Sequence, residues 1–158
     1  MKSSLSNRTG TFERRLEMFY TEKTIKAMQI AYKAHHCQLD KSGVPYIFHP
    51  IHLAEQMETE EEVIVALLHD VVEDTRVTIE NLATEFSDNI IQAIKLLTHD
   101  DSMPYMDYIR KIKSNPLAKK VKLADLEHNS DTTRMPTISE IDIKRWEKYR
   151  EAKEILLS

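Results

Sequence analysis

Apolar residues recur at helical spacing along nearly the whole chain, and no stretch alternates apolar with polar in the manner of a strand. Thr21 precedes a helix carrying Ile25, Met28, Ala31 and Tyr32 that is expected to end near Gln38. Leu39 to His49 holds Gly43 and Pro45 and reads as a loop. Pro50, placed at a first helical position, is expected to start a short helix through Ile51, Ala54 and Met57. Thr59 followed by Glu62 has the spacing of a capping box, which starts the most apolar helix of the chain. Thr78 and Ser87 mark two further starts, and Pro104 opens a helix with Tyr105, Tyr108, Ile109 and Ile112. Asn115-Pro116 begins another that runs to about Ser130, and Ser139 with Asp142 begins the last. The pattern predicts a compact all-α domain over residues 21–158, preceded by a tail over 1–20 that is partly disordered or a short helix.

Composition narrows the chemistry. The 158 residues fit one domain, since domains run to roughly 100–200 residues. A formal net charge of −4 without a basic block argues against a nucleic-acid or membrane-surface partner. No apolar run approaches the ~20 residues of a membrane span, and Met1 to Gly10 lacks the apolar segment of a signal peptide, so a cytoplasmic protein is expected. Cys37 is the only cysteine, read as a small half-buried helix residue, so neither an intrachain disulfide nor a thiolate cluster is available. Gly10 and Gly43 are the only glycines, which excludes glycine-rich phosphate loops. Any phosphate must be held by a metal ion and by Lys or Arg side chains.

The candidate chemistry lies in Ala66-Leu67-Leu68-His69-Asp70-Val71-Val72-Glu73-Asp74-Thr75. Projected as one continuous helix from His69, Glu73 falls at about 40°, Asp70 at about 100° and Asp74 at about 140°, opposite an apolar arc. An imidazole and three carboxylates on one face suit a hard or borderline metal ion. Adjacent residues of a helix do not face each other, so further ligands must come from elsewhere. His49, where the loop enters a helix, and Asp125, in the apolar run Val121-Lys122-Leu123-Ala124-Asp125, are the candidates. Asn129 stands one turn beyond Asp125. His36, His52, His99 and His128 have no ligand partner at a telling spacing and read as core-edge or surface residues. Tyr46, Tyr105, Tyr108, Trp146 and Tyr149 read as core.

Four blocks together resemble the HD-domain phosphohydrolases, specifically the alarmone hydrolases of the Rel/SpoT and Mesh type. They are Ala34-His35-His36-Cys37-Gln38, Gly43-Val44-Pro45-Tyr46-Ile47-Phe48-His49-Pro50, Leu67 to Thr75, and Lys122 to Asn129. The resemblance implies a helical HD-domain bundle. It also implies His49, His69, Asp70 and Asp125 as metal ligands, usually for manganese, with other divalent ions possible. Glu73 and Asp74 would be the acid/base pair, and Asn129 and Thr132 would line the pocket for a small phosphorylated nucleotide. Lys41 and Lys122 are candidates to neutralise a leaving pyrophosphate. His35 matches an early family histidine and reads as packing or as support behind the ligands. The implied reaction is removal of the 3′-pyrophosphate of guanosine tetra- or pentaphosphate; no synthetase domain fits in the chain.

Two positions depart from the family. Asp40 stands where an Arg normally packs on guanine, and a carboxylate there is expected to repel a highly phosphorylated ligand. Cys37 stands at a family glycine. A phosphohydrolase for another small nucleotide or phosphate ester, or a non-catalytic metal-binding HD module, therefore stays open. The sequence leaves the oligomeric state open as well.

Overall fold

The computed structural model describes residues 19–135 and 137–158, so the expectation of a tail over residues 1–20 lies outside the described residues apart from Phe19 and Tyr20. The described residues form an all-α bundle: α1 (Glu22–Ala34), α2 (Phe48–Ala54), α3 (Glu60–Leu68), α4 (Val71–Asp74), α5 (Ile79–Ala83), α6 (Asp88–Leu97), α7 (Tyr105–Lys113), α8 (Pro116–Asn129) and α9 (Glu140–Leu157), with a 3-10 turn at Thr132–Arg134.

Helix starts follow the capping residues. Thr21, Thr59, Thr78 and Ser139 each accept a hydrogen bond from the backbone N–H three residues on, and the residue there reaches back to the cap. Asn115 caps α8 by accepting from Ala118 N–H, with Pro116 at the first turn, where its missing N–H costs nothing. The helix after the loop begins at Phe48, two residues before Pro50, because Pro50 is tolerated anywhere in a first turn.

α3 is the axis of the molecule. Val63 to Leu68 are all buried, and the helix packs against α1, α2, α6 and α8. A helix apolar on every side belongs at a core centre, where each Leu or Ile buried contributes roughly 1.5–3 kcal/mol. The projection of a half-solvated helix continuing to Asp74 is therefore corrected. α3 ends at Leu68, Asp70 leaves helical geometry at φ −102° and ψ −4°, and the short α4 restarts at Val71. The break turns His69 into the core and leaves Glu73 and Asp74 at the surface.

The Leu39–His49 segment is tightly folded. Leu39 and Pro45 pair as an antiparallel bridge, and Gly43 turns the chain at φ +81°. The Asp40 carboxylate accepts the backbone N–H groups of Ser42 (2.8 Å) and Val44 (2.9 Å), which builds the turn around that side chain. Cys37 is not a half-buried helix residue. It is exposed beyond the end of α1 at φ +65°, a conformation that glycine adopts without a steric cost.

Candidate metal centre and adjoining cavity

His69 closes the C-terminal end of α3 and is almost wholly buried. Its Nδ1 lies 2.7 Å from the carbonyl oxygen of Ala66, which can only accept, so Nδ1 donates and the Nε2 lone pair points outward. Nε2 makes no aligned hydrogen bond, yet Asp70 Oδ2 is 2.9 Å away. A lone pair this close to a carboxylate requires a positive charge at the contact.

α2 delivers His49, buried beside His69 with ring centroids 5.2 Å apart. α8 delivers Asp125, also buried, whose Oδ1 lies 3.2 Å from His49 Nε2 and 3.9 Å from His69 Nε2. Ligand atoms of His49, His69 and Asp70 lie within 4.8 Å of one another. The structure thus brings all four residues from three separate segments to one place.

Electrostatics at this place favour added positive charge. Burial works against charge on His69, but the Asp70 and Asp125 carboxylates outweigh it and raise its pKa to about 9. Burial likewise works against charge on Asp70, and the His69 imidazole outweighs it, holding the carboxyl down to about 2. Two imidazoles and two carboxylates supply neutral nitrogen and anionic oxygen donors, and their charge balances a divalent cation. The donor set and the facing lone pair fit a divalent metal ion.

Each carboxylate of the cluster is also held by neighbouring side chains, as the acids of a metal site would need to be. The Tyr46 hydroxyl donates to Asp70 Oδ2. Asn129 Nδ2 donates to Asp125 Oδ1 (2.6 Å), and Lys122 Nζ lies 2.8 Å from Asp125 Oδ2. Burial opposes charge on both members of that pair. Their attraction wins, keeping Lys122 well above the ordinary lysine range and Asp125 well below the ordinary carboxylate range. Lys122 is thus committed to Asp125, with the Tyr108 ring beneath its ammonium.

Glu73 and Asp74 stand outside the four ligands. The His99 backbone N–H donates to Glu73 Oε2 at 2.8 Å and fixes that carboxylate. Loss of hydration raises the pKa of both Glu73 and Asp74, and the nearby Asp70 charge adds to it. Behind Asp74, buried His35 donates from Nδ1 to Gln38 Oε1 (2.7 Å), and Gln38 donates to the Asp74 carbonyl (3.1 Å).

A cavity of about 290 Å³ adjoins the cluster, with Tyr46, His128 and Asn129 shared between the two. Lys41, Arg134 and Arg145 supply cations to its wall, and Trp146 and Tyr149 supply aromatic faces. Tyr46 and Trp146 therefore line a cavity instead of the core, Tyr149 lines it while packing against the core, and Tyr108 is buried with its hydroxyl on the Leu97 carbonyl (2.6 Å). Lys41 and Asn129 are at this wall; Thr132 is exposed at the 3-10 turn and is not among its lining residues.

Two positions differ from the sequence reading. Asp40 does not stand as a free anion, because Arg134 Nη2 lies 3.1 Å from its Oδ2. His128 is not a bystander: its Nδ1 is 2.7 Å from His49 Nδ1 and 2.9 Å from Arg134 Nη1. Burial and the neighbouring His49 and Arg134 lower its pKa to about 4, so it is neutral. Its spacing held the clue, since three residues after Asp125 on a helix is the same face.

A family model described as HD domain matches residues 27–138. The chain belongs to the HD-domain family. Among relatives of this HD domain, a Danio rerio protein named guanosine-3′,5′-bis(diphosphate) 3′-pyrophosphohydrolase MESH1 is 38% identical over 101 residues, 57% of this chain and 56% of that one. The Homo sapiens protein of the same name is 34% identical over 118 residues, 66% of each chain. A Borreliella burgdorferi guanosine-3′,5′-bis(diphosphate) 3′-pyrophosphohydrolase is 35% identical over 133 residues, 72% of this chain but 19% of that longer protein. A solved structure described as a metazoan ortholog of SpoT that hydrolyzes ppGpp superimposes with a TM-score of 0.69 at 25% identity, covering 87% of this chain and 86% of the other. The chain spans under a fifth of the long relatives and between about half and two thirds of the MESH1 proteins.

Proposed function

We propose that the chain is a manganese-dependent phosphohydrolase of the cytoplasm that removes the 3′-pyrophosphate of guanosine tetra- or pentaphosphate. The products are GDP or GTP and pyrophosphate. The observation that carries this reading is the convergence of His49, His69, Asp70 and Asp125 beside a carboxylate pair and a cavity with cationic and aromatic walls. The names and activities of the MESH1 and SpoT-like relatives support the substrate.

When bound at His49, His69, Asp70 and Asp125, a divalent ion supplies Lewis acidity toward water and phosphoryl oxygen. The chain's own residues do the rest. Glu73 and Asp74 provide one proton acceptor for the attacking water and one donor for the leaving oxygen, a contribution of about 10²–10⁴-fold. Their raised pKa values bring both closer to the range where a carboxyl exchanges protons near neutrality. Water adds to phosphorus as the bond from phosphorus to the ribose 3′ oxygen breaks, that oxygen takes a proton, and pyrophosphate departs. Lys41 and Arg145 face the cavity where the polyphosphate charge accumulates, and Asn129 orients Asp125 at its floor. Tyr46, Trp146 and Tyr149 offer surfaces for a nucleobase.

A second reading has one specific observation behind it. Asp40 joins Arg134 at the cavity mouth, so the base-facing wall is built differently from that of the family, and another phosphorylated nucleotide would then be the substrate. The test is a panel of nucleotides, ppGpp included, incubated with purified protein and Mn²⁺. Pyrophosphate released from ppGpp, and lost on Glu73→Gln while Mn²⁺ binding persists, is the expected result. Turnover of another nucleotide alone transfers the activity to the second reading; Mn²⁺ binding with no turnover of any substrate leaves a metal-holding module.

A further inference from the structure

We infer that His128 and Arg134 form a positioning pair that fixes the protonation of His49, so that His49 meets the cation site with its Nε2 lone pair. The inference rests on the cation-binding reading above and adds to it two residues that lie outside the four ligands.

Arg134 Nη1 is 2.9 Å from His128 Nδ1 and 3.2 Å from the His128 carbonyl oxygen. A guanidinium can only donate, so His128 Nδ1 must present a lone pair. His49 Nδ1 sits 2.7 Å from that same nitrogen. Two lone pairs cannot share such a distance, so the proton between the rings belongs to His49 Nδ1. A neutral imidazole carries one proton, which leaves His49 Nε2 bare on the side where Asp125 Oδ1 lies at 3.2 Å and Asp70 Oδ2 at 3.7 Å. Once its second proton is displaced, His69 presents its Nε2 in the same way, with Nδ1 held by the Ala66 carbonyl, a backbone acceptor. His49 enters from a first helical turn and takes its acceptor from a side chain 79 positions away.

Arg134 is itself anchored. Asp40 Oδ2 receives its Nη2 at 3.1 Å, and the Ser42 hydroxyl donates to its carbonyl oxygen at 3.0 Å. The chain Asp40–Arg134–His128–His49 thus runs from the cavity mouth to the cation site. Asp40 is needed there as the anion that holds Arg134 against His128.

The test has two arms that do not use turnover. In cation-free protein above about pH 9, where the neighbouring His69 has given up its second ring proton, long-range ¹H–¹⁵N correlation is expected to find the His49 proton on Nδ1 in the native chain. Arg134→Met should convert it to a mixture of both ring forms. By calorimetry, Mn²⁺ should bind roughly 10–100-fold more weakly to His128→Ala, the usual cost of removing the partner behind a metal-ligating histidine. His128→Asn keeps an acceptor oxygen near the Nδ1 position and should recover most of that loss. A native His49 protonated on Nε2 overturns the inference, as do folded Arg134→Met and His128→Ala proteins with native Mn²⁺ affinity. Absence of any Mn²⁺ binding by the native chain overturns the proposed function, and the ring-proton measurement still decides the positioning pair.

Discussion

The cation cluster and the cavity mouth are neighbours built on opposite plans. In the cluster, His49, His69 and Asp125 are buried, and the four side chains have specific partners in Ala66, His128, Lys122, Asn129 and Tyr46. At the mouth, Asp40, Lys41, Arg134 and Arg145 are partly solvated; Asp40 pairs with Arg134 and builds its own tight turn, and Arg145 pairs with Asp142. Charge inside the apolar core is retained only when paired, because an uncompensated buried ion costs several kcal/mol. Charge at the mouth is screened and can be exchanged at little cost. The proposed chemistry is therefore tied to the buried cluster, and the partly solvated mouth tolerates a change of charge at a smaller cost in stability. Asp40 belongs to both plans: it is partly exposed at the mouth, and its carboxylate holds Arg134 against His128.

Four substitutions or conditions sharpen the contrast. Lys122→Met leaves Asp125 buried without its ammonium and is expected to destabilise the cation-free protein by about 3 kcal/mol in denaturant unfolding, less with Mn²⁺ present. An effect below about 1 kcal/mol without the ion would mean that the cluster tolerates unpaired charge as the mouth does.

The second concerns pH. His69 has a folded pKa raised to about 9, burial opposing and Asp70 and Asp125 outweighing it. A raised folded value contributes stability that is fully present below the unfolded pKa, roughly 6.5, and lost as pH rises through about 9. Asp70 has the opposite sign: its contribution is present above 3.8 and lost as pH falls through about 2. The cation-free protein should thus lose stability between about pH 6.5 and 9, and a divalent ion replaces the same proton. Mn²⁺ affinity should climb by up to about tenfold per pH unit in that window, with about one proton released per ion near pH 7.5. Calorimetry in buffers of different ionisation enthalpy measures that release, and none would place the ion elsewhere.

At the mouth, Asp40→Asn weakens a partly exposed ion pair and should cost less than about 1 kcal/mol in the same unfolding assay. A cost matching Lys122→Met would erase the distinction between the two regions. The smallest expected effect is Cys37→Gly. Relief of a left-handed conformation, about 1–2 kcal/mol, is offset by the greater freedom of unfolded glycine, about 0.5–1 kcal/mol. The net gain of about 0.5 kcal/mol should raise Tm by about 1–2 °C.

What could be read from the chain divides along the same line as the energetics. Capping residues act within three positions, so Thr21, Thr59, Thr78, Asn115 and Ser139 announced their helices directly. Helical periodicity, by contrast, carries straight through His69 and Asp70, and nothing local signals that the helix breaks there. The break is a tertiary effect: α3 is surrounded on every side, so His69 and Asp70 leave its end instead of its face. Apolar spacing extends past Ala34, so the exit from α1 into the left-handed conformation of Cys37 has no local signal in the periodicity. His128 and Arg134 gain their roles from His49 and Asp40, which lie 79 and 94 positions away. Sequence spacing reaches His128 only through the shared face of α8 and does not reach Arg134, which lies in the turn beyond it.

The central claim is that one divalent ion is held by His49, His69, Asp70 and Asp125. Anomalous diffraction at the manganese edge, on crystals grown with Mn²⁺, tests it most directly. The account predicts a single strong peak bounded by both Nε2 atoms and both carboxylates, absent in Asp70→Ala crystals treated identically. A peak that lies elsewhere, or one that persists in Asp70→Ala, would contradict it.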